Sequence, residues 1–322
     1  MSFEKIIGQD VAIKAIKNMI AQDQVRGTYL FLGPDGVGKR ATAISLAKAV
    51  NCEGDSRDTD CECTSCKKID SGNHPDVFLV YPEGASYSIK IIRIREIIYE
   101  ASLKPYEAKK RVFIVNDAEA MTEEAQNSFL KLLEEPPKNH ILILTSSNMA
   151  GILPTVISRC KILKFNKLAQ PMIQGFLMSR DFDEDQAILY SHMAMGSIGR
   201  AIELKEMNIV SKRDEIVNNF FLSKSAIFRE NVLSDSMKDD VEDTLHILLY
   251  WYRDLLVYGF TNTEEELLNI DRRNEISSYA GRFSKKKLQR DVTSILKTIE
   301  LVRANVNPKS ALFNMAVGLK RG

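Results

Sequence analysis

Residues 28–40 read TYLFLGPDGVGKR, and the reading of this stretch decides the fold. Five β-favouring residues (28–32) run into Gly33-Pro34-Asp35-Gly36-Val37-Gly38-Lys39, and residues 40–50 then carry apolar side chains at helical spacing. Strand, then G-x-x-x-x-G-K, then helix is the order in which backbone N–H groups and a helix N-terminus surround phosphates while the lysine meets the outer ones. A plain glycine turn needs neither flank, so the context favours phosphate binding. Gly33, Gly36, Gly38 and Lys39 are the candidate nucleotide-binding residues, with ATP as the expected ligand.

Four further strand-like runs follow at 77–80 (VFLV), 112–115 (VFIV), 141–145 (ILILT) and 161–165 (KILKF), separated by helical patterns at 91–101 and 122–133, the latter with Thr122 placed as N-cap. Strands alternating with helices predict a parallel sheet with helices on its faces, and continuous apolar strands suit burial on both sides. Beyond residue 165 the strand signal stops. From Pro171 onward the chain reads as helices, with Trp251 and several tyrosines as core. The expected division is an α/β domain over 1–165, a small helical domain over 166–206 and a helical terminal domain over 207–322.

The composition excludes several classes. In 322 residues, 44 basic side chains oppose 43 acidic ones, so no overall cationic field draws the chain to nucleic acid. An apolar fraction of 44% and a charged fraction of 27% fit neither disorder nor a fibrous repeat. The N-terminus lacks a secretory pattern, and the most apolar later stretch, 246–260, is interrupted by Arg253 and Asp254 and is too short for a membrane span. A cytoplasmic protein is expected. There a cysteine cluster reads first as metal-binding or catalytic.

The phosphate loop departs from a working ATPase at three positions. A serine or threonine hydroxyl after the lysine holds Mg²⁺ in such sites; here Arg40 stands in its place. The run 112–115 leads into Asn116-Asp117, so Asn116 occupies the position of the metal-holding aspartate, and Asp117 is one carbon shorter than the glutamate that would orient water. The loop is expected to hold phosphate without efficient hydrolysis.

Four of the five cysteines, Cys52, Cys61, Cys63 and Cys66, cluster within 15 residues. Four thiolates match the closed tetrahedral site of structural Zn²⁺, although only Cys63 and Cys66 have the C-x2-C spacing, and His74 is an alternative ligand. Free thiols or a redox pair are the competing readings. Arg159, in Ser158-Arg159-Cys160, falls at the far edge of the α/β domain, where an arginine acts either as a finger on a neighbour's nucleotide or as an ordinary surface ion pair. Arg200, in GSIGR (196–200), is a second arginine placed to return toward the phosphates.

Taken together, IIGQD (6–10), GPDGVGK, the cysteine knuckle, VFIVNDAEAM (112–121), FLKLLEEPP (129–137), PTVISRC (154–160), GSIGRA and the tail ANVNPKSAL (304–312) resemble the bacterial clamp-loader AAA+ proteins of DNA polymerase III. The resemblance covers most of 3–206 and the terminal helix. It implies an AAA+ domain, a lid and an all-α collar for oligomerisation. The intact Ser-Arg-Cys beside a defective nucleotide site resembles the rigid, non-hydrolysing type of subunit. As implied by the resemblance, Arg159 would complete the ATP site of an adjacent tau/gamma subunit. Likewise Cys52, Cys61, Cys63 and Cys66 would bind zinc, the 33–39 loop would be a relic, and Arg200 would be the second sensor. Partners would be tau/gamma and delta subunits and, through the ring, the sliding clamp and primed DNA. Two alternatives stand beside it: an ATP-hydrolysing tau/gamma-type motor, from the intact Gly38-Lys39, and a zinc-dependent DNA-binding module. The near-neutral charge weighs against the last, and 285–287 (KKK) reads as a solvated helix face.

Overall fold

The computed structural model describes residues 3–54, 61–84, 86–218, 241–304 and 306–320. It divides into two compact units, Met1–Met172 with Gly196–Gly199, and Ile173–Met195 with Arg200–Gly322. The first unit contains α1 (Asp10–Ala21), β1 (Gly27–Leu32), α2 (Lys39–Asn51), α3 (Thr64–Asp70), β2 (Val77–Val80), α4 (Ile91–Ala101), β3 (Arg111–Val115), α5 (Glu123–Glu134), β4 (His140–Ser146), α6 (Pro154–Ile157) and β5 (Lys161–Lys164).

All five strands pair in parallel, in the order β2-β3-β4-β1-β5. β1 lies between β4 and β5, so the chain leaving it must cross to the far side of the sheet to begin β2. Its carboxyl end is therefore the switch point at which α/β sheets take ligands, and the phosphate loop starts there. Period-two alternation divides each strand between two cores. Tyr29, Phe31, Ile114 and Ile143 pack with Ile16 and Leu46 of α1 and α2, whereas Leu30, Phe113, Leu142 and Leu144 pack with Ile94 of α4 and Phe129 of α5. Each such aromatic or aliphatic side chain contributes roughly 1.5–3 kcal/mol on burial. Because helices cover both faces, β3 and β4 are buried at every position, as their apolar sequences require.

β5 departs from that expectation. It is an edge strand with Lys161, Ile162 and Lys164 exposed, and lysines on an open edge oppose pairing with another chain. Thr122 caps α5 as expected, accepting the Ala125 N–H on Oγ1 at 3.3 Å.

The second unit is helical throughout its described residues: α7 (Gln170–Met178), α8 (Glu184–Met193), α9 (Ile198–Glu206), α10 (Ile209–Val217), α11 (Val241–Thr261), α12 (Arg273–Ala280), α13 (Lys285–Arg303) and α14 (Pro308–Lys320). α7 and α9 each carry their first residues in the first unit. Trp251 and Tyr252 of α11 are buried, as the sequence predicts. So is Asp254, which accepts the backbone N–H groups of Leu268 and Asn269 and so ties the following loop to α11.

Candidate functional site

The phosphate loop turns on two glycines with left-handed backbone, Gly36 (φ +69°) and Gly38 (φ +103°), and Gly38 is the N-cap of α2. Lys39 is almost fully buried. Its ammonium donates to the carbonyls of Gly33 and, at 2.8 Å, Pro34, and meets the Asp35 carboxylate at 3.2 Å. The loop's own oxygens thus satisfy the lysine that would otherwise face phosphate oxygens. Across the loop, Gly199 donates its N–H to the Gly36 carbonyl at 2.9 Å. The start of α9, within Gly196–Gly199, is thereby docked onto the loop, a contact that sequence reasoning did not identify. Arg200 belongs to the second unit, where it pairs with Glu203 at 2.7 Å.

The three weakened positions each have a different occupation. The Arg40 guanidinium lies 5.8 Å from the Tyr81 ring centre, a cation–π distance. Asn116, at the end of β3, is buried and donates its amide to the Val80 carbonyl at 3.3 Å. Asp117 has a left-handed backbone (φ +50°), and its carboxylate accepts the Tyr87 hydroxyl at 2.8 Å. That hydrogen bond to an anion is the main reason the Tyr87 hydroxyl is pushed up to about 12. Arg40 and Asn116 supply no anionic oxygen for a divalent cation, and the Asp117 carboxylate is engaged by a phenol. Tyr87 carries no sequence signal for this role, since its partner lies 30 residues away.

The cysteine ligands come from both ends of a loop. Cys52 ends α2, while Cys63 caps α3 and Cys66 sits in its first turn. The four sulfurs of Cys52, Cys61, Cys63 and Cys66 lie within 4.8 Å of one another, close enough to hold a metal ion. Tetrahedral thiolate coordination at ~2.3 Å sets sulfurs about 3.8 Å apart, so the donor set fits. The one-residue step from Cys61 to Cys63 does not prevent convergence. Burial opposes ionisation of Cys63, but backbone N–H groups of Glu53 and Cys66 and the adjacent thiols pull it down to about 6. Cys66 is pushed up, first by burial and then by its neighbouring thiols. His74 stands outside the cluster: Nε2 meets Ser65 Oγ at 3.3 Å and Nδ1 accepts the Asp76 N–H at 3.1 Å. The knuckle is fixed by Lys48–Asp70 (2.6 Å) between α2 and α3 and by Lys109, which donates to the Cys52 carbonyl at 2.7 Å. Residues 55–60 of this loop lie outside the described residues.

Arg159 lies between α6 and β5, at the amino-terminal end of the strands, whereas the phosphate loop leaves the carboxyl end of β1. The six residues of β1 alone separate the two ends by roughly 18 Å. Arg159 therefore cannot reach its own loop. Its partly exposed guanidinium pairs with Glu134, the last residue of α5. Cys160 packs against the α4–α5 core, and burial pushes its thiol up to about 12.

The chain matches a family model described as DNA polymerase III, delta subunit, over residues 8–169, and one described as DNA polymerase III, delta subunit, C terminal, over 208–317. It is 31% identical to DNA polymerase III subunit delta' of Bacillus subtilis, with 98% of this chain and 97% of the relative covered. It is 29% identical to subunit delta' of Pseudomonas aeruginosa (79% and 78% covered). Subunit tau of Bacillus subtilis is 30% identical over 80% of this chain but over only 50% of its own length. Among solved structures, a gamma subunit-related protein of Thermotoga maritima shares the fold, with a TM-score of 0.54 at 19% identity, covering 96% of this chain and 99% of that one.

Proposed function

The chain belongs to the DNA polymerase III delta-subunit family, and from that premise we propose that it is a delta-prime-type subunit of the clamp loader. It assembles with tau/gamma and delta subunits in a cytoplasmic ring that loads a sliding clamp on primed DNA. It contributes no ATP hydrolysis of its own and supplies Arg159 to the nucleotide of an adjacent tau/gamma subunit. The 33–39 loop with Arg200 is a relic nucleotide site, and Cys52, Cys61, Cys63 and Cys66 hold a structural Zn²⁺. The three-part division 1–165, 166–206 and 207–322 belongs to the same proposal, the last part serving as collar.

One observation carries this reading: Arg159 and the 33–39 loop stand at opposite ends of one parallel sheet. A guanidinium so placed serves a nucleotide held by another chain, and fingers of this kind act by meeting transition-state charge on the phosphates. Arg40 and Asn116, which supply no anionic oxygen where a divalent cation would be held, support the non-hydrolysing assignment over a tau/gamma-type motor.

The test is reconstitution with tau/gamma and delta subunits, clamp and primed DNA. The isolated chain should turn over no ATP above background, while Arg159→Ala should lower the ATPase of the complex by about 10³-fold, the scale of lost fingers. Substantial hydrolysis by the isolated chain, or an unaltered complex carrying Arg159→Ala, rejects the assignment.

A further inference from the structure

The neutral total conceals a local concentration of charge. Between residues 282 and 299 stand six basic side chains, Arg282, Lys285, Lys286, Lys287, Arg290 and Lys297, against one acidic residue, Asp291, a net +5 in a chain whose total is +1. Asp291 is buried and paired with Lys287 at 3.5 Å, and Lys287 also donates to the Leu319 carbonyl at 2.9 Å. The other five cations are exposed, and among the described residues none has a carboxylate within ion-pair distance.

Their arrangement is ordered. Lys286, Arg290 and Lys297 stand at i, i+4 and i+11 of α13, which at 3.6 residues per turn places them within about 40° of one another along roughly 16 Å of one exposed face. Lys285, Lys286 and Lys287 open the helix, where the macrodipole favours acidic residues and each cation costs a few tenths of a kcal/mol or more. Stability of α13 alone does not account for that choice. Aromatic rings from two other helices lie under the cations: the Lys285 ammonium is 4.6 Å from the centre of Phe260 of α11, and the Arg282 guanidinium 4.5 Å from Tyr279 of α12. Phe260 is 54% exposed, leaving ring surface open to a further partner.

We infer that this face binds single-stranded DNA, the cations meeting successive phosphates and the exposed Phe260 ring offering a stacking surface to a base. Unpaired cations along a line fit a phosphodiester backbone, and an exposed aromatic ring among them serves a base that is not already stacked in a duplex. The surface belongs to the second unit, and the inference does not depend on the roles proposed for the phosphate loop, the cysteine cluster and Arg159.

The test is fluorescence anisotropy of a labelled oligo-dT of about 20 nucleotides with the full chain between about 50 and 200 mM salt. Engagement of three to five cations predicts a slope of log affinity against log salt of about −2 to −3.5. Lys286→Glu with Arg290→Glu should weaken binding at least tenfold at the lower salt and make the slope shallower by about 1.4. The first of these changes also suits the helix dipole, so the thermal unfolding midpoint of the variant should be retained, which separates lost binding from lost fold. Phe260→Ala should weaken binding with the slope unchanged. Unaltered affinity in the double variant, equal or tighter binding of a duplex of the same length, or displacement by polyglutamate as effective as by unlabelled oligo-dT overturns the inference.

Discussion

Two nitrogens of Arg159 converge on one carboxylate oxygen of Glu134, Nε at 2.9 Å and Nη2 at 2.8 Å, while Nη1 donates to the Thr155 carbonyl at 3.0 Å. The guanidinium is thus oriented jointly by the end of α5 and the turn of α6. Both side chains are partly exposed, so the pair stabilises the fold by less than about 1 kcal/mol. Its consequence is positional. Glu134→Ala should leave the unfolding midpoint of the isolated chain nearly unchanged while lowering the ATPase of the reconstituted complex by less than Arg159→Ala does. Arg159→Lys should not restore activity, because a single ammonium lacks the planar fork. Full ATPase with Arg159→Lys would count against a finger role.

The contact between Gly36 and Gly199 leaves no room for a side chain. A Cβ on Gly199 would lie 2.6 Å from the Gly36 Cα, and one on Gly36 would lie 2.3 Å from Ser197 Oγ and 2.8 Å from the Gly199 Cα. Since the obstruction is mostly backbone, it cannot be relieved by a rotamer change. Gly199→Ala should cost on the order of 1–3 kcal/mol, and Gly36→Ala more because its positive φ adds strain. Denaturant midpoints of the two variants measure this. A midpoint unchanged in Gly199→Ala would show that Gly199 does not rest on the loop in solution.

Metal removal gives a third test. The purified chain should carry about one equivalent of Zn²⁺, matching one tetrahedral thiolate site. Cys66→Ser, which replaces a buried ligand in the first turn of α3, should abolish stoichiometric zinc. Chelation should lower the melting temperature, since metal bound only by the folded chain adds its binding energy to folding. The sheet should stay cooperative, because Lys48–Asp70 and Lys109 anchor the knuckle independently of the metal. Zinc far below stoichiometry by elemental analysis would refute the assignment.

What was legible in the sequence followed its local periodicities. The five strands and the helix Ile91–Ala101 match the expected segments because each is an apolar run whose pattern and flanking turns leave one reading. The cysteine quartet was legible because ligand chemistry needs several thiols near one another. What escaped reading depends on groups distant in the chain. Gln9 donates to the Asn166 carbonyl at 2.8 Å and accepts the Asn166 N–H at 3.0 Å, joining positions 157 residues apart. The edge status of β5 follows from strand order, which its own KILK sequence does not encode. The docking of Gly199 on Gly36 and the pairing of Tyr87 with Asp117 are likewise products of tertiary approach. The lysines of 285–287, read as a solvated face, have one member, Lys287, turned to Asp291 and the end of α14.

Acid should weaken the first unit in two stages, set by His140 and Asp76. His140 is buried and stacked on Phe113 at a centroid distance of 6.0 Å; burial foremost, and then the charge of Arg111, hold its imidazole below the ordinary 6.5. Burial opposes ionisation of Asp76 as well. Three backbone donors, Tyr106, Glu107 and Ala108, at 2.8–2.9 Å, and Arg111 at 3.0 Å nonetheless hold its carboxyl below the ordinary 3.8. Both folded-state values are depressed, so the unfolded chain binds more protons in each window and stability decreases as the pH is lowered. The His140 contribution is complete above about pH 6.5 and declines below it, joined by that of the similarly depressed His74; that of Asp76 is complete above about pH 4 and is lost beneath it. Urea midpoints should therefore be level above pH 7.5, decline gently through pH 6, and drop steeply below pH 4. His140→Gln should reduce the first decline without touching the second. Asp76→Asn should flatten the second and cost about 3 kcal/mol at pH 7, because Arg111 loses its buried counter-ion and keeps only the partly exposed Glu100 at 3.3 Å. An Asp76→Asn midpoint equal to that of the parent at pH 7 would mean that the carboxylate does not organise the 106–108 turn.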